Sequence, residues 1–206
     1  MPLSRRSFMG RSGATMIAGS MASSSVWGAN ERISVAVIGC GGRGTGSHVS
    51  QFCDRSEVDL VGLCDAKKGA ADGSANMLET QKKKRPKTYV DMRELLDDKS
   101  VDAVSIATPN HWHTLAAIWS MQAGKDVYLE KPCSHNVWEG RQLANAAKKY
   151  NRIIQHGTQI RSSKAVQEGI QKLKDGVIGE VYMARGLCYK TRRAVDKVPN
   201  EAPPAD

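Results

Sequence analysis

The run I-S-V-A-V-I-G-C-G-G-R-G at residues 33–44 restricts this chain more than any other feature. A strand-like apolar segment breaks directly into G-x-G-x-x-G, the opening of a βαβ unit that cradles a dinucleotide. Each glycine answers a separate steric need. Gly39 lets the chain turn sharply out of the strand, Gly41 offers a pyrophosphate bare backbone, and Gly44 lets helix and sheet pack closely. N–H groups opening the next helix then face the phosphates. Glycine-rich turns also occur in surface loops, so the neighbours matter. Here V-D-L-V-G-L-C runs into Asp65 about 20 residues on, where such units hold the adenosine ribose. A carboxylate there favours NAD over NADP. At about 4 Å and an effective dielectric near 20, it repels an added phosphate charge by about 4 kcal/mol. Lys67 and Lys68 follow at once and could pair with that phosphate, or form only the exposed first turn of a helix. NAD is favoured and NADP stays open.

After Asn30 the chain alternates strand-like and helix-like segments. Strands fit residues 33–38, 58–64, 88–90, 103–107, 126–129 and 153–156, and helices fit 42–52, 66–81, 92–97, 111–123, 136–150 and 163–174. Short apolar runs suit strands buried on both faces. Their alternation with helices predicts an α/β fold with a Rossmann-type doubly wound parallel sheet. Residues 30–156 form the expected NAD(P)-binding domain. Residues 157–206 form a crossover and the truncated start of an α+β substrate domain, its first strand at 179–184. The strands expected to follow it are missing, as though the chain were cut early.

Two segments sharpen the reading. T-P-N-H-W-H at residues 108–113 ends the fourth strand, and L-E-K-P at residues 129–132 ends the fifth. In open α/β sheets the carboxyl ends of the strands border the ligand crevice. With the glycine loop, these segments resemble the Gfo/Idh/MocA family, which includes glucose–fructose oxidoreductases and inositol dehydrogenases. The resemblance covers residues 33–181, and E-K-P is its most specific element. It implies cofactor contacts from Thr108, Asn110, His113, Glu130 and Lys131. Asn110 and His113 match the T-P-N-x-x-H segment beside the nicotinamide half. Lys131 matches the lysine that contacts the nicotinamide ribose and the substrate hydroxyl. Residues 157–161 match the crossover, making Gln159 and Arg161 candidates for the substrate pocket. His111 and Trp112 read as packing or surface residues, and His48 and His135 as structural.

Removing hydride from a carbinol carbon requires the hydroxyl to lose its proton, so a base must stand beside it. Lys131 suits orientation and stabilisation of the developing alkoxide. The resemblance implies a second catalytic pair spaced D-x-x-x-H, which the matching region lacks: Asp196 is followed four positions later by Asn200. The base is expected beyond Asp206. The leading expectation is an NAD(P)-dependent oxidoreductase of a sugar or polyol, homo-oligomeric in full-length form. The alternatives are a redox glycosidase, in which bound NAD⁺ transiently oxidises the sugar, and a non-catalytic nucleotide-binding protein.

Composition narrows the partners. The net charge of +9 includes Arg5, Arg6 and Arg11 of a leader, S-R-R-S-F-M with an apolar stretch behind it. That pattern predicts a twin-arginine export signal over residues 1–29, with the export machinery as partner and a periplasmic or otherwise exported location. The run Lys82-Lys83-Lys84-Arg85 has no aromatic residues interleaved, so it reads as a solvated loop and nucleic-acid binding is not expected. Five cysteines show no C-x-x-C pair and no metal-ligand spacing with histidine, so no metal is expected and the thiols read as mainly buried and free.

Overall fold

A computed structural model describes residues 32–189. The leader and the Asp196–Asn200 spacing lie outside them. Six strands form one parallel sheet in the order β3-β2-β1-β4-β5-β6: β1 Ile33–Ile38, β2 Val58–Cys64, β3 Lys87–Tyr89, β4 Ala103–Ile106, β5 Asp126–Glu130 and β6 Ile154–Gly157. The order reverses between β1 and β4, which opens a crevice at their carboxyl ends.

Alternation along β1 divides the core in two. Ala36 and Ile38 pack with Val104, Ile106, Val127 and Leu129 beneath the helices α3 (Met92–Asp97), α4 (Asn110–Gln122) and α5 (Val137–Tyr150). Val37 faces the other way, against Val49, Leu63 and α2 (Lys68–Thr80). Both faces of the sheet are therefore covered, which is why its strands read as unbroken apolar runs. The first helix, α1, differs in winding from the expected α-helix. It is a π-helix over Gly44–Val49 that passes into an α turn at Ser50–Phe52.

Helix ends follow local chemistry. The Asp91 carboxylate accepts the Arg93 N–H at 2.8 Å to start α3. At α5 the Asn136 side chain accepts the Glu139 N–H, and the Glu139 carboxylate in turn accepts the His135 N–H, both at 2.9 Å. Gly124, in the left-handed region at φ +80°, follows the end of α4. The basic loop is compensated within the chain: Lys83 pairs with Asp54, Lys84 with Asp59 and Arg85 with Glu79.

One expected element is absent. Residues 179–184 form no strand, and Val181, Tyr182 and Met183 are exposed. Their pattern suits a pleated ribbon, but a strand needs a neighbour for its N–H and C=O groups. No ladder partner stands beside this one among the described residues. A short helix at Gln159–Ser162 leads instead into α6 (Lys164–Lys174). Among the described residues, no helix is long and apolar enough to cross a membrane, and no cluster of His, Cys, Asp or Glu could hold a metal.

Candidate nucleotide site

The glycine turn is built by close approach. Gly39 sits at φ +96° and its N–H donates to the Cys64 carbonyl at 2.7 Å. A Cβ at Gly39 would lie 2.7–2.8 Å from backbone atoms of Ala107 and Thr108. A Cβ at Gly44 would fall 1.7 Å from the Gly39 carbonyl oxygen, so the start of α1 rests directly on the turn. Gly41 is different. Nothing lies within 4 Å of where its Cβ would be, leaving its backbone open.

Asp65, just past β2, is fixed against this loop. One carboxylate oxygen accepts the Cys40 N–H at 2.8 Å and the other accepts the Lys67 N–H at 2.9 Å. Each oxygen keeps a further lone pair for a hydroxyl donor. Thr108 ends the β4 side, and its Oγ1 is buried with no hydrogen-bond partner in the protein. Gly39, Gly41, Arg43, Asp65 and Thr108 line one crevice of about 1320 Å³, which extends past Met92 to Trp112. Bare glycine backbone, an acid with spare lone pairs and an orphaned hydroxyl fit the phosphates and ribose of a dinucleotide.

The remaining predicted residues divide. Lys131 follows β5 with an exposed side chain, and its Nζ makes no hydrogen bond or ion pair among the described residues. Asn110 is exposed at the first position of α4, and Arg161 is exposed beyond β6. These three lie outside the lining of the crevice. The side chains of His113 and Glu130, both expected cofactor contacts, are buried and hydrogen-bonded within the protein. His113 bridges two loops, with Nδ1 2.5 Å from the Pro132 carbonyl and Nε2 2.8 Å from the Thr108 carbonyl. A neutral imidazole can donate to only one of them. Gln159, a substrate candidate, places its Nε2 2.7 Å from Glu130 Oε1 and 3.1 Å from the Tyr128 hydroxyl.

Glu130 is the centre of a buried polar cluster. Its Oε1 accepts from Arg43 Nε at 2.8 Å and Nη2 at 2.7 Å, and lies 3.0 Å from His48 Nε2. His48 Nδ1 is 2.6 Å from Ser105 Oγ. Burial pushes the Glu130 carboxyl up. His48, Arg43 and the Lys131 N–H outweigh it and hold the carboxyl below its usual range. Sequence reasoning missed Arg43 and its link to Glu130. The only local signal is the arginine inside G-x-G-x-R-G, and its partner lies 87 residues away. Burial also raises the Cys40 and Cys64 thiols to about 12, with the Asp65 carboxylate adding to the rise at Cys40 and Cys40 at Cys64.

A doubly wound parallel sheet with a glycine turn at its switch point defines a dinucleotide-binding protein of the Rossmann class. Residues 33–158 match the Gfo/Idh/MocA oxidoreductase family, described by its NAD-binding Rossmann fold, and the chain belongs to that family. Among curated relatives, it is 31% identical over 155 residues to a glycosyl hydrolase family 109 protein of a Shewanella species. It is 30% identical to the alpha-N-acetylgalactosaminidase of Shewanella oneidensis. Each match covers 73% of this chain and 34% of the relative, so the chain spans about a third of their length. The crystal structure of myo-inositol 2-dehydrogenase from Lactobacillus plantarum superposes with a TM-score of 0.65 at 26% identity, over 73% of this chain and 43% of that one.

Proposed function

We propose that the chain is the nucleotide-binding part of an exported NAD(P)-dependent oxidoreductase that moves a hydride between nicotinamide and a sugar or polyol carbinol. The observation that carries this is the convergence of Gly41, Asp65 and the unpartnered Thr108 hydroxyl on one crevice. Bound nicotinamide dinucleotide supplies a hydride acceptor or donor. The chain's own residues do the rest. The Gly41 backbone receives the pyrophosphate, Asp65 accepts the adenosine ribose hydroxyls, and Asn110 contributes from the start of α4. Lys131 orients the substrate hydroxyl and stabilises the charge it develops as its proton leaves. Gln159 and Arg161 begin the substrate side at the crossover, and residues 157–206 open the second domain.

Titrating NAD and NADP into wild type and Asp65→Ser tests the nucleotide site. Tighter NAD binding by wild type, reversed or levelled in the variant, supports the reading. Stronger NADP binding by wild type removes Asp65 as the discriminator. In wild type Lys68 pairs with Asp72 along α2, which leaves Lys67 as the lysine lining the crevice.

A second reading, a redox glycosidase, is favoured by the two glycosidase relatives. Incubating full-length protein with candidate sugars and glycosides separates the two. Net reduced nicotinamide indicates a dehydrogenase, and sugar release without it a glycosidase. Export rests on S-R-R-S-F-M and the apolar stretch behind it: Arg5→Lys with Arg6→Lys should block it, and normal periplasmic accumulation of the double variant overturns it.

A further inference from the structure

We propose that Arg43 is a positioning residue that couples seating of the nucleotide to placement of Lys131, acting through Glu130. The inference rests on the nucleotide-site reading above. Arg43 stands at the N-cap of α1, just after the glycine turn, and lines the crevice, with its side chain 51% exposed, whereas the Glu130 side chain is 4% exposed. The guanidinium therefore reaches from the ligand side into the buried interior.

Its donors are divided accordingly. Nε and Nη2 both donate to Glu130 Oε1, and Nη1 donates to Ser47 Oγ at 3.1 Å. A guanidinium carries five N–H bonds, so two remain for an anionic group in the crevice. On the buried side one carboxylate joins the start of α1 to the crossover. Oε1 meets Arg43 from the loop, His48 from α1 and Gln159 from the crossover, while Oε2 accepts the Lys131 N–H at 3.2 Å. Lys131 is the next residue along the chain, so it continues directly from the residue that Arg43 holds.

This link answers a problem the fold creates. The glycine loop leaves β1 and Lys131 leaves β5, with β4 between them, and Glu130 is the end of β5 itself. The two ends are otherwise tied only through β4, by its ladders to β1 and β5. The Arg43–Glu130 bond spans the gap, and a phosphate drawing on the two remaining N–H bonds would hold the guanidinium in that pose. Loss of Arg43 leaves His48 and Gln159 on Oε1, so the carboxylate stays partly satisfied while its tie to the glycine loop is gone.

The test is shielding of Lys131 from acetylation by an N-hydroxysuccinimidyl ester, read by mass spectrometry in the full-length protein with and without saturating NAD. Wild type should label several-fold more slowly with NAD than without it. Arg43→Met, re-saturated with NAD and shown to be folded by its melting curve, should lose most of that shielding. Arg43→Lys keeps the charge and one bond to Glu130 and should recover part of it. A residue that only stabilises the fold would lower the melting temperature and leave shielding at saturation unchanged. Shielding in Arg43→Met equal to wild type overturns the coupling alone. A wild type that fails to bind NAD overturns the site reading and the coupling with it, and one that binds NAD without shielding Lys131 overturns the coupling alone.

Discussion

Replacing Gly39 and Gly41 by alanine, one at a time, should separate the two demands that the glycine fingerprint makes on the chain. At Gly39 the backbone lies at φ +96°, where an L side chain is strained by about 1–3 kcal/mol. The added Cβ would also stand 2.7–2.8 Å from Ala107 and Thr108. Those neighbours are backbone atoms of the β4 end and cannot swing aside, so overpacking adds about 1–3 kcal/mol. The total, about 2–6 kcal/mol, is a large part of the stability of a domain this size. Gly41 has an ordinary φ and no atom within 4 Å of a new methyl. Its replacement should leave stability within about 0.5 kcal/mol of wild type. That methyl would occupy the path of the pyrophosphate, and a misfit of about 1–3 kcal/mol is about 5- to 150-fold in affinity. Urea unfolding gives the first quantity through the midpoint at constant slope. Calorimetric titration with NAD gives the second. Wild-type NAD affinity in Gly41→Ala would refute the pyrophosphate path, and a wild-type urea midpoint in Gly39→Ala would refute the packing calculation.

Three further outcomes are expected. Lys131→Met in the full-length protein should lower the catalytic rate by about 100-fold or more, the lower range for a positioned acid–base group, with much less change in nucleotide affinity; near-normal turnover would reduce Lys131 to a structural residue. With thiols raised to about 12, Cys40 and Cys64 should resist iodoacetamide at pH 8 until the protein unfolds, while the exposed Cys188 labels readily; rapid native labelling of Cys40 would contradict its burial. The Glu130 carboxyl is held below its unfolded value, so its stabilisation is fully present above the ordinary Glu range and lost as pH falls through the lower folded value. Arg43→Met removes one of the groups holding it down and should move acid unfolding to higher pH; an unchanged acid midpoint would show that Arg43 contributes nothing there.

The sequence by itself determined what short-range physics controls. The bounds of β1, β2 and α3 are those their apolar runs and capping residues indicate, because alternation of side chains and orphaned helix N–H groups are satisfied within a few residues. Gly39 and Gly44 were legible for the same reason: the positive φ of one and the contact of the other with the turn are local, although the end of β4 also crowds Gly39. The ends of β3, β4, β5 and β6 lie one residue from their expected places, since where a ladder ends depends on the neighbour's register as well as on the strand's own pattern. Residues 179–184 carry a strand pattern without a strand, because pairing is a property of two segments.

The site divides along the same line. Asp65 and Thr108 could be placed because strand ends in an open α/β sheet converge at the switch point. The orientations of Glu130 and His113 could not. Both sit in motifs that point at the crevice, yet their polar atoms face Arg43, His48, Pro132 and Thr108. A buried carboxylate or imidazole turns to whichever partners satisfy it. Those partners are brought to Glu130 from 82 and 87 residues away only when β5 takes its place beyond β4.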